Sequence, residues 1–237
     1  MRNSNAIIIN TSSVGFDRNN PNDPLTALPW DDIDSIYTAM LGDTLRVLSR
    51  VGNVDVLIYR NEKEISDDFF LPYHQFTRVF NLTEDPLGEQ LRQAVEDAFT
   101  QNYQRVLVML ENNPTLSSGY LRNVLNQLEY DDDCIVLGTT YENRFHLVAM
   151  KSNHGKIFET VDGDPLKNHE IMLKKICSRD VVLFILNPIH SIFFGKNIIN
   201  MRKTLELSDS SSIDFPSKTS SIFKLLEKKY RYQKILS

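Results

Sequence analysis

Short aliphatic runs alternate with amphipathic stretches of helical spacing along this chain, and the clearest instance is residues 105–120, RVLVMLENNPTLSSGY. An apolar strand there enters a polar turn holding Asn112, Asn113 and Pro114, and a helix opens directly after it. Repetition of such units implies right-handed crossovers and a mainly parallel sheet with helices on both faces, a three-layer α/β/α fold. Strand ends and the turns after them then collect at the carboxyl edge, where open α/β folds take ligands and helices begin with unpaired N–H groups. Glu111 is the only carboxylate in this turn.

The other units follow the same logic. Residues 6–9 are continuously aliphatic, as suits a strand covered on both faces. A polar loop over residues 11–29 leads to Trp30 and a helix in which Ile33, Ile36, Tyr37, Met40, Leu41, Leu45 and Leu48 recur at helical spacing. Asp31 or Asp32 is placed to cap it, and Gly52 and Asn53 stop it. Further strands are expected at residues 55–59, 76–80, 106–110, 135–137, 145–150 and 181–186. Helices are expected at residues 87–99, from Ser117 or Ser118, and at about 167–177. Neither a Rossmann glycine pattern nor a phosphate-loop sequence occurs.

With 237 residues and 41% hydrophobic content, the chain can bury the core of one domain, assigned to residues 1–207. A net charge of −5 argues against a general nucleic-acid binder, which needs a basic face. The only cysteines are Cys134 and Cys177, read as buried free thiols. The apolar run at residues 6–9 is too short for a signal peptide, and no window reaches the roughly 20 residues that cross a bilayer. A soluble cytoplasmic protein is the expectation. Residues 208–221 read as a polar linker and 222–237 as an amphipathic helix, with Ile222, Leu225 and Leu226 on one face. Six basic residues against Glu227 give the last 21 residues a charge of +5. Packing on its own domain or on a sister subunit, attachment to a membrane or acidic partner, and docking to a protein partner are all open to that helix.

Three segments in order resemble the bacterial glycosyltransferases of the radical-SAM/selenodomain-associated transferase group. LGEQLRQAVEDAF is similar to the group's "DLGERM…AF" at Leu87, Gly88, Glu89, Ala98 and Phe99. VLVMLENNPTLSSGYL parallels "vvliGtDsPdLp…yL" through Pro114, Leu116, Tyr120 and Leu121, and IVLGTTYENRFHLVAM parallels "vvlGPaeDGGYyLiG" through Leu137, Gly138 and Leu147. The resemblance implies a nucleotide-diphospho-sugar transferase fold of the glycosyltransferase-A type and transfer of a sugar from a nucleoside diphosphate. It also implies that Asn10 and Thr11 face the nucleotide.

The departures fall on the residues that would do chemistry. Asn112 stands where the group carries an aspartate, Glu142, Asn143 and Arg144 replace Asp-Gly-Gly, and only Arg18 remains of a basic phosphate-binding segment in residues 15–29. His190, Ser191 and Ile192 occupy the neighbourhood of an expected acidic "DVD". A transferase of this type supports the departing diphosphate with Mg²⁺ or Mn²⁺ on carboxylates. Glu142 alone would hold either ion weakly, so no firm cofactor is expected. Asp131, Asp132 and Asp133 precede their strand and belong at the opposite rim, whereas Asp162 and Asp164 form a second acidic patch in a turn. His146 lies in the third matched segment and is read as sheet packing or a substrate contact. The candidates are therefore Asn10, Thr11, Asn112 and Asn113 for substrate binding, and Glu142 as base or sole ligand. The expected function is a divergent glycosyltransferase-like protein that binds a nucleotide-sugar, with weak or lost metal-dependent transfer; a noncatalytic protein-binding or scaffold role is the alternative.

Overall fold

The computed structural model describes residues 3–11, 25, 28–60, 65–159, 165–192 and 195–230. Its seven strands are β1 (Asn5–Asn10), β2 (Val54–Arg60), β3 (Thr77–Asn81), β4 (Arg105–Met109), β5 (Cys134–Thr139), β6 (Phe145–Met150) and β7 (Val182–Ile185). The helices are α1 (Trp30–Leu48), α2 (Leu87–Thr100), α3 (Ser118–Gln127), α4 (Pro165–Cys177), α5 (Gly195–Leu207) and α6 (Ser217–Lys229). The strands form one sheet in the order β3-β2-β1-β4-β6-β5-β7.

Every pairing is parallel except those of β6, which runs against both β4 and β5. The β5–β6 connection spans residues 140–144, too short for a crossover, and closes as a hairpin in which Thr140 N–H donates to the Arg144 carbonyl at 2.9 Å. Parallel pairing of the others sends β1, β2, β4, β5 and β7 to a common carboxyl edge.

Alternation along the strands splits the core into two layers. Ile7, Ile9 and Met109 face Leu41, Leu45 and Leu48 of α1 and Leu121, Val124 and Leu125 of α3. Ala6, Ile8, Val106 and Val108 face Leu91, Val95 and Ala98 of α2 and Met172 and Ile176 of α4. The three-layer α/β/α architecture is therefore the one expected. Cys177 differs from expectation: as the last residue of α4 it falls off the stripe carrying Met172 and Ile176 and is exposed, whereas Cys134 is buried. No described helix is long and apolar enough to cross a membrane.

α5 was not expected from the sequence, and α6 opens at Ser217, inside the stretch read as linker. Together with Ile33, Ile36 and Met40 of α1, they enclose a third cluster through Ile198, Ile199, Met201, Leu205, Phe223 and Leu226. Phe223 and Leu226 form the buried face of α6; Leu225, expected on it, is exposed. The fully buried Asp43 of α1 accepts from Lys218 N–H at 3.2 Å, Thr219 N–H at 2.7 Å and Thr219 Oγ1 at 2.9 Å, capping α6 from another helix. At the other end, Asp32 accepts from Lys229 Nζ and from the Tyr230 hydroxyl. Asp32 thus does not cap α1, whose N-cap position is Pro29 with no side-chain bond. Burial pushes the Asp32 carboxyl up, but donation from Lys229 and Tyr230 outweighs it and leaves the group below the usual carboxylate range.

Candidate functional site

The sheet order reverses between β1 and β4: β2 lies on one side of β1 and β4 on the other. At such a reversal the loops leaving the two strands diverge and open a crevice above their carboxyl ends. Asn10 ends β1 and Thr11 follows it, while Asn112 and Asn113 lie just beyond β4, and Ile9 is level with Met109. All four expected binding residues therefore stand at one edge, on both sides of the reversal. Glu142 is at the same edge, in the β5–β6 hairpin, whereas Asp133 is at the opposite rim, where it accepts from His154 Nε2 at 2.9 Å.

The four differ in their hydrogen bonding. Asn10 donates through Nδ2 to Gln90 Oε1 of α2 at 2.9 Å, and Gln90 is itself fixed by the carbonyls of Thr83 and Asp85. Asn113 Oδ1 accepts from the N–H and hydroxyl of Thr115 at 3.0 and 2.7 Å, a turn-building role. Thr11 Oγ1 and Asn112 Oδ1 are buried and have no hydrogen-bond partner among the described residues. A buried polar atom without a partner costs about 1–3 kcal/mol, a cost that a ligand or ordered water removes.

The helix that follows does not offer the unpaired N–H groups expected of it. Ser117, one of the two serines from which this helix was expected to start, caps α3 by accepting from Tyr120 N–H. Ser118 donates through its N–H and hydroxyl to Asp214 Oδ2, both at 2.9 Å. An internal carboxylate therefore holds the position an anion would take.

Glu111 and Glu142 are both engaged in joining loops. Glu111, 2% exposed, accepts from Arg144 Nε at 3.1 Å, Ser191 Oγ at 2.5 Å and Ile192 N–H at 2.9 Å. Burial pushes its carboxyl up, against the pull of Ser191 and Arg144. Glu142 Oε2 accepts from Ser191 N–H at 2.9 Å, and Oε1 from Asn197 Nδ2 at 2.9 Å and His190 Nδ1 at 3.3 Å. Partial burial raises the Glu142 carboxyl, and these donors more than offset it, leaving the group below its ordinary range. That makes Glu142 a stable anion and a poor proton acceptor.

The carboxylates here do not fit a resident divalent ion. Each already accepts three protein hydrogen bonds, Asn112 offers a neutral oxygen, and no group of three or more His, Cys, Asp or Glu able to hold a metal occurs among the described residues. Arg18, Asp162 and Asp164 lie outside the described residues.

His146 is the second residue of β6, beside the end of β4, where its carbonyl accepts from Leu110 N–H at 2.8 Å. Its ring is fully buried, with Nε2 at 3.1 Å from the Tyr120 hydroxyl and Nδ1 without a partner among the described residues. Burial lowers its pKa to about 3, and raises that of Tyr120 to about 12. Only glycine leaves room for this ring, because a Cβ at Gly138 would lie 2.3 Å from His146 Nε2. Gln90 and Tyr120 were not identified from sequence as parts of this edge, and Glu111, placed in its turn, was not expected to pair with Arg144. Tyr120 carried the one available signal, its place in the second matched segment. A separate cavity of about 760 Å³ between α1 and α6 is lined by Asp31, Asp34, Thr38, Phe69, Lys218 and Ile222 and by none of the candidate residues.

Several solved structures share the whole architecture. A protein from Desulfovibrio desulfuricans G20, provisionally assigned as a nucleotide-diphospho-sugar transferase, superposes with a TM-score of 0.75 at 15% identity, covering 98% of each chain. The 4-diphosphocytidyl-2C-methyl-D-erythritol synthase of Anaerococcus prevotii DSM 20548 gives 0.58 at 12% identity, covering 86% of this chain and 96% of its own. A cytidylyltransferase from Leptospira borgpetersenii serovar Hardjo-bovis gives 0.56 at 14% identity, covering 98% and 96%. The fold is thus that of the nucleotide-diphospho-sugar transferases. No curated protein matches the sequence significantly. A family profile matches residues 44–163, about half the chain, and the chain belongs to that family, described as an uncharacterized protein conserved in bacteria (DUF2064).

Proposed function

We propose that this protein binds a nucleotide-linked sugar at the carboxyl edge of its sheet as a divergent glycosyltransferase-like protein, close to the radical-SAM-associated group, in which metal-dependent transfer is weak or lost. The observation that carries the reading is the pair of buried atoms, Thr11 Oγ1 and Asn112 Oδ1, that have no partner among the described residues and stand on either side of the strand-order reversal. Asn112 Oδ1 is an acceptor, so it selects a ligand hydroxyl or amino group, which a sugar or a nucleoside supplies and a bare phosphate does not. The names of the solved relatives lend support, since each refers to a nucleotide-linked sugar or a cytidylyl group. Weak metal dependence follows from the carboxylates already held by protein donors and from Asn112.

Calorimetry with nucleoside diphosphates and nucleotide-sugars, with and without Mn²⁺, tests this. The expected result is donor binding that Mn²⁺ changes little and that Asn112→Ala weakens by roughly 5- to 30-fold, the worth of one buried hydrogen bond. Absence of binding by every donor overturns the reading. A noncatalytic protein-binding role is the second reading, favoured by the exposed Leu207, Ile213 and Leu225 on and before α6. Under that reading, removing residues after Leu207 changes the mass of the assembly in solution.

A further inference from the structure

The loop after β7 is bound into the candidate site from two sides. Thr140 bridges Ile189 in parallel register, and Tyr141 N–H donates to the Ile189 carbonyl at 2.9 Å, which fixes the loop to the end of β5. Glu111, the residue before Asn112, takes Ser191 Oγ and Ile192 N–H and fixes the same loop to the end of β4. His190 lies between these anchors. Its side chain is 77% exposed, so its ring contributes little to the core, and its neighbours already hold the backbone.

The ring is nevertheless held in place. Nδ1 lies 3.3 Å from Glu142 Oε1, and the Tyr141 ring packs against it with centroids 4.9 Å apart. Glu142 is in turn fixed by Ser191 N–H and Asn197 Nδ2, so the carboxylate cannot swing away. In the neutral ring, an ionised carboxylate at Nδ1 takes the proton there, and Nε2 then carries the lone pair open to a substrate. A base oriented by a third, fixed group is the arrangement that general-base catalysis uses. His146, the other histidine at this edge, is fully buried and turned to Tyr120, and His154 is at the opposite rim.

We infer that His190 is the proton acceptor for the hydroxyl that receives the sugar, with Glu142 as its positioning residue; this rests on the reading that the edge binds a nucleotide-linked sugar. In the step, the acceptor oxygen forms its bond to the anomeric carbon while the bond from that carbon to the diphosphate oxygen breaks. The electron pair of the broken bond leaves on the nucleoside diphosphate. The hydroxyl proton passes to His190 Nε2, and the Nδ1 proton stays directed at Glu142. Water serves as acceptor when no other hydroxyl is supplied, so slow donor hydrolysis reports the same base. Glu142, named from sequence as base or ligand, becomes the group that orients the base.

The test combines donor binding and release of nucleoside diphosphate from the donor identified by calorimetry, for the wild type, His190→Ala and Glu142→Gln. His190→Ala is expected to keep donor affinity within about twofold and to lose turnover by about 10²-fold or more, the usual share of a general base, with partial recovery on adding imidazole. Glu142→Gln presents a single acceptor where two are used. It is expected to lower turnover and to remove the preference for a proton on Nδ1 of His190, read from ¹⁵N shifts in the full-length protein. Donor binding with turnover indifferent to His190→Ala, or with no turnover in the wild type, overturns the assignment and leaves the binding reading intact. Failure of every donor to bind overturns both.

Discussion

His146 is held neutral in the folded protein, and that makes stability depend on pH. Its pKa falls from an ordinary 6.5 to about 3 because burial penalises the charged ring, so below pH 6.5 the unfolded chain takes up a proton that the folded chain refuses. The contribution is complete above pH 6.5 and declines as pH falls towards 3, at about 1.4 kcal/mol per unit. Between pH 7 and 5 the wild type is expected to lose about 2 kcal/mol through this residue. Glu111, raised by burial, acts in the opposite sense, so the informative quantity is a difference between proteins. Urea unfolding of Tyr120→Phe/His146→Leu, which removes both polar partners together, is expected to lack this 2 kcal/mol; an unchanged pH slope contradicts the account. At this scale the sequence was legible where partners are local. Ser117 or Ser118 was placed at the start of α3, and Ser117 caps it through Tyr120 N–H three residues on. The bond from Asn10 to Gln90 spans 80 positions, and the packing of His146 over Gly138 depends on strand pairing, so neither leaves a local signal.

The elements were legible to the extent that their ends are set by their own residues. Periodicity located α1, α2 and α3 and the apolar strands, because each buries a stripe or a face that spacing reveals. The start of α6 could not be found this way. Ser217, Thr219, Ser220 and Ser221 are modest helix formers, and the helix begins there because Asp43, about 175 residues earlier, satisfies its first N–H groups. The reversed direction of β6 did have a signal, since a connection over residues 140–144 permits only an antiparallel return. Asp43→Ala is expected to leave the Thr219 N–H and hydroxyl buried without an acceptor, costing roughly 2–4 kcal/mol, about one lost cap plus one orphaned polar group. Urea unfolding measures the loss. Proteolysis within residues 208–216 is expected to quicken as α6 undocks, and Asp43→Asn, keeping one acceptor, is expected to lose about half as much.

Across the whole molecule, the strand order brings the ends of β1 and β4 together, and the βα alternation already implied the parallel pairing that puts strand ends at a common edge. The placement of Asn10, Thr11, Asn112 and Asn113 at one edge was therefore legible, while the loop contacts that hold Glu111 and Glu142 depend on a hairpin and a long-range meeting of residues 111, 142 and 191. This separation of scaffold from charge permits a test through global stability. Asn112→Asp restores a carboxylate beside the buried Glu111 without changing shape. With no metal present, two acidic groups then share a desolvated edge, which costs about 2 kcal/mol and lowers Tm by roughly 4–8 °C for a chain of this size. If the edge is a metal site that lost its charge, millimolar Mn²⁺ binds the folded variant, reverses the drop and raises Tm further with concentration, as mass action requires. Wild-type Tm is expected to be indifferent to Mn²⁺, because Glu111 and Glu142 are each held by three protein donors, from Arg144, Ser191 and Ile192 and from Ser191, His190 and Asn197, which an ion would have to displace. A variant that melts lower but ignores Mn²⁺ counts against reading the edge as a metal site that lost only the charge at position 112.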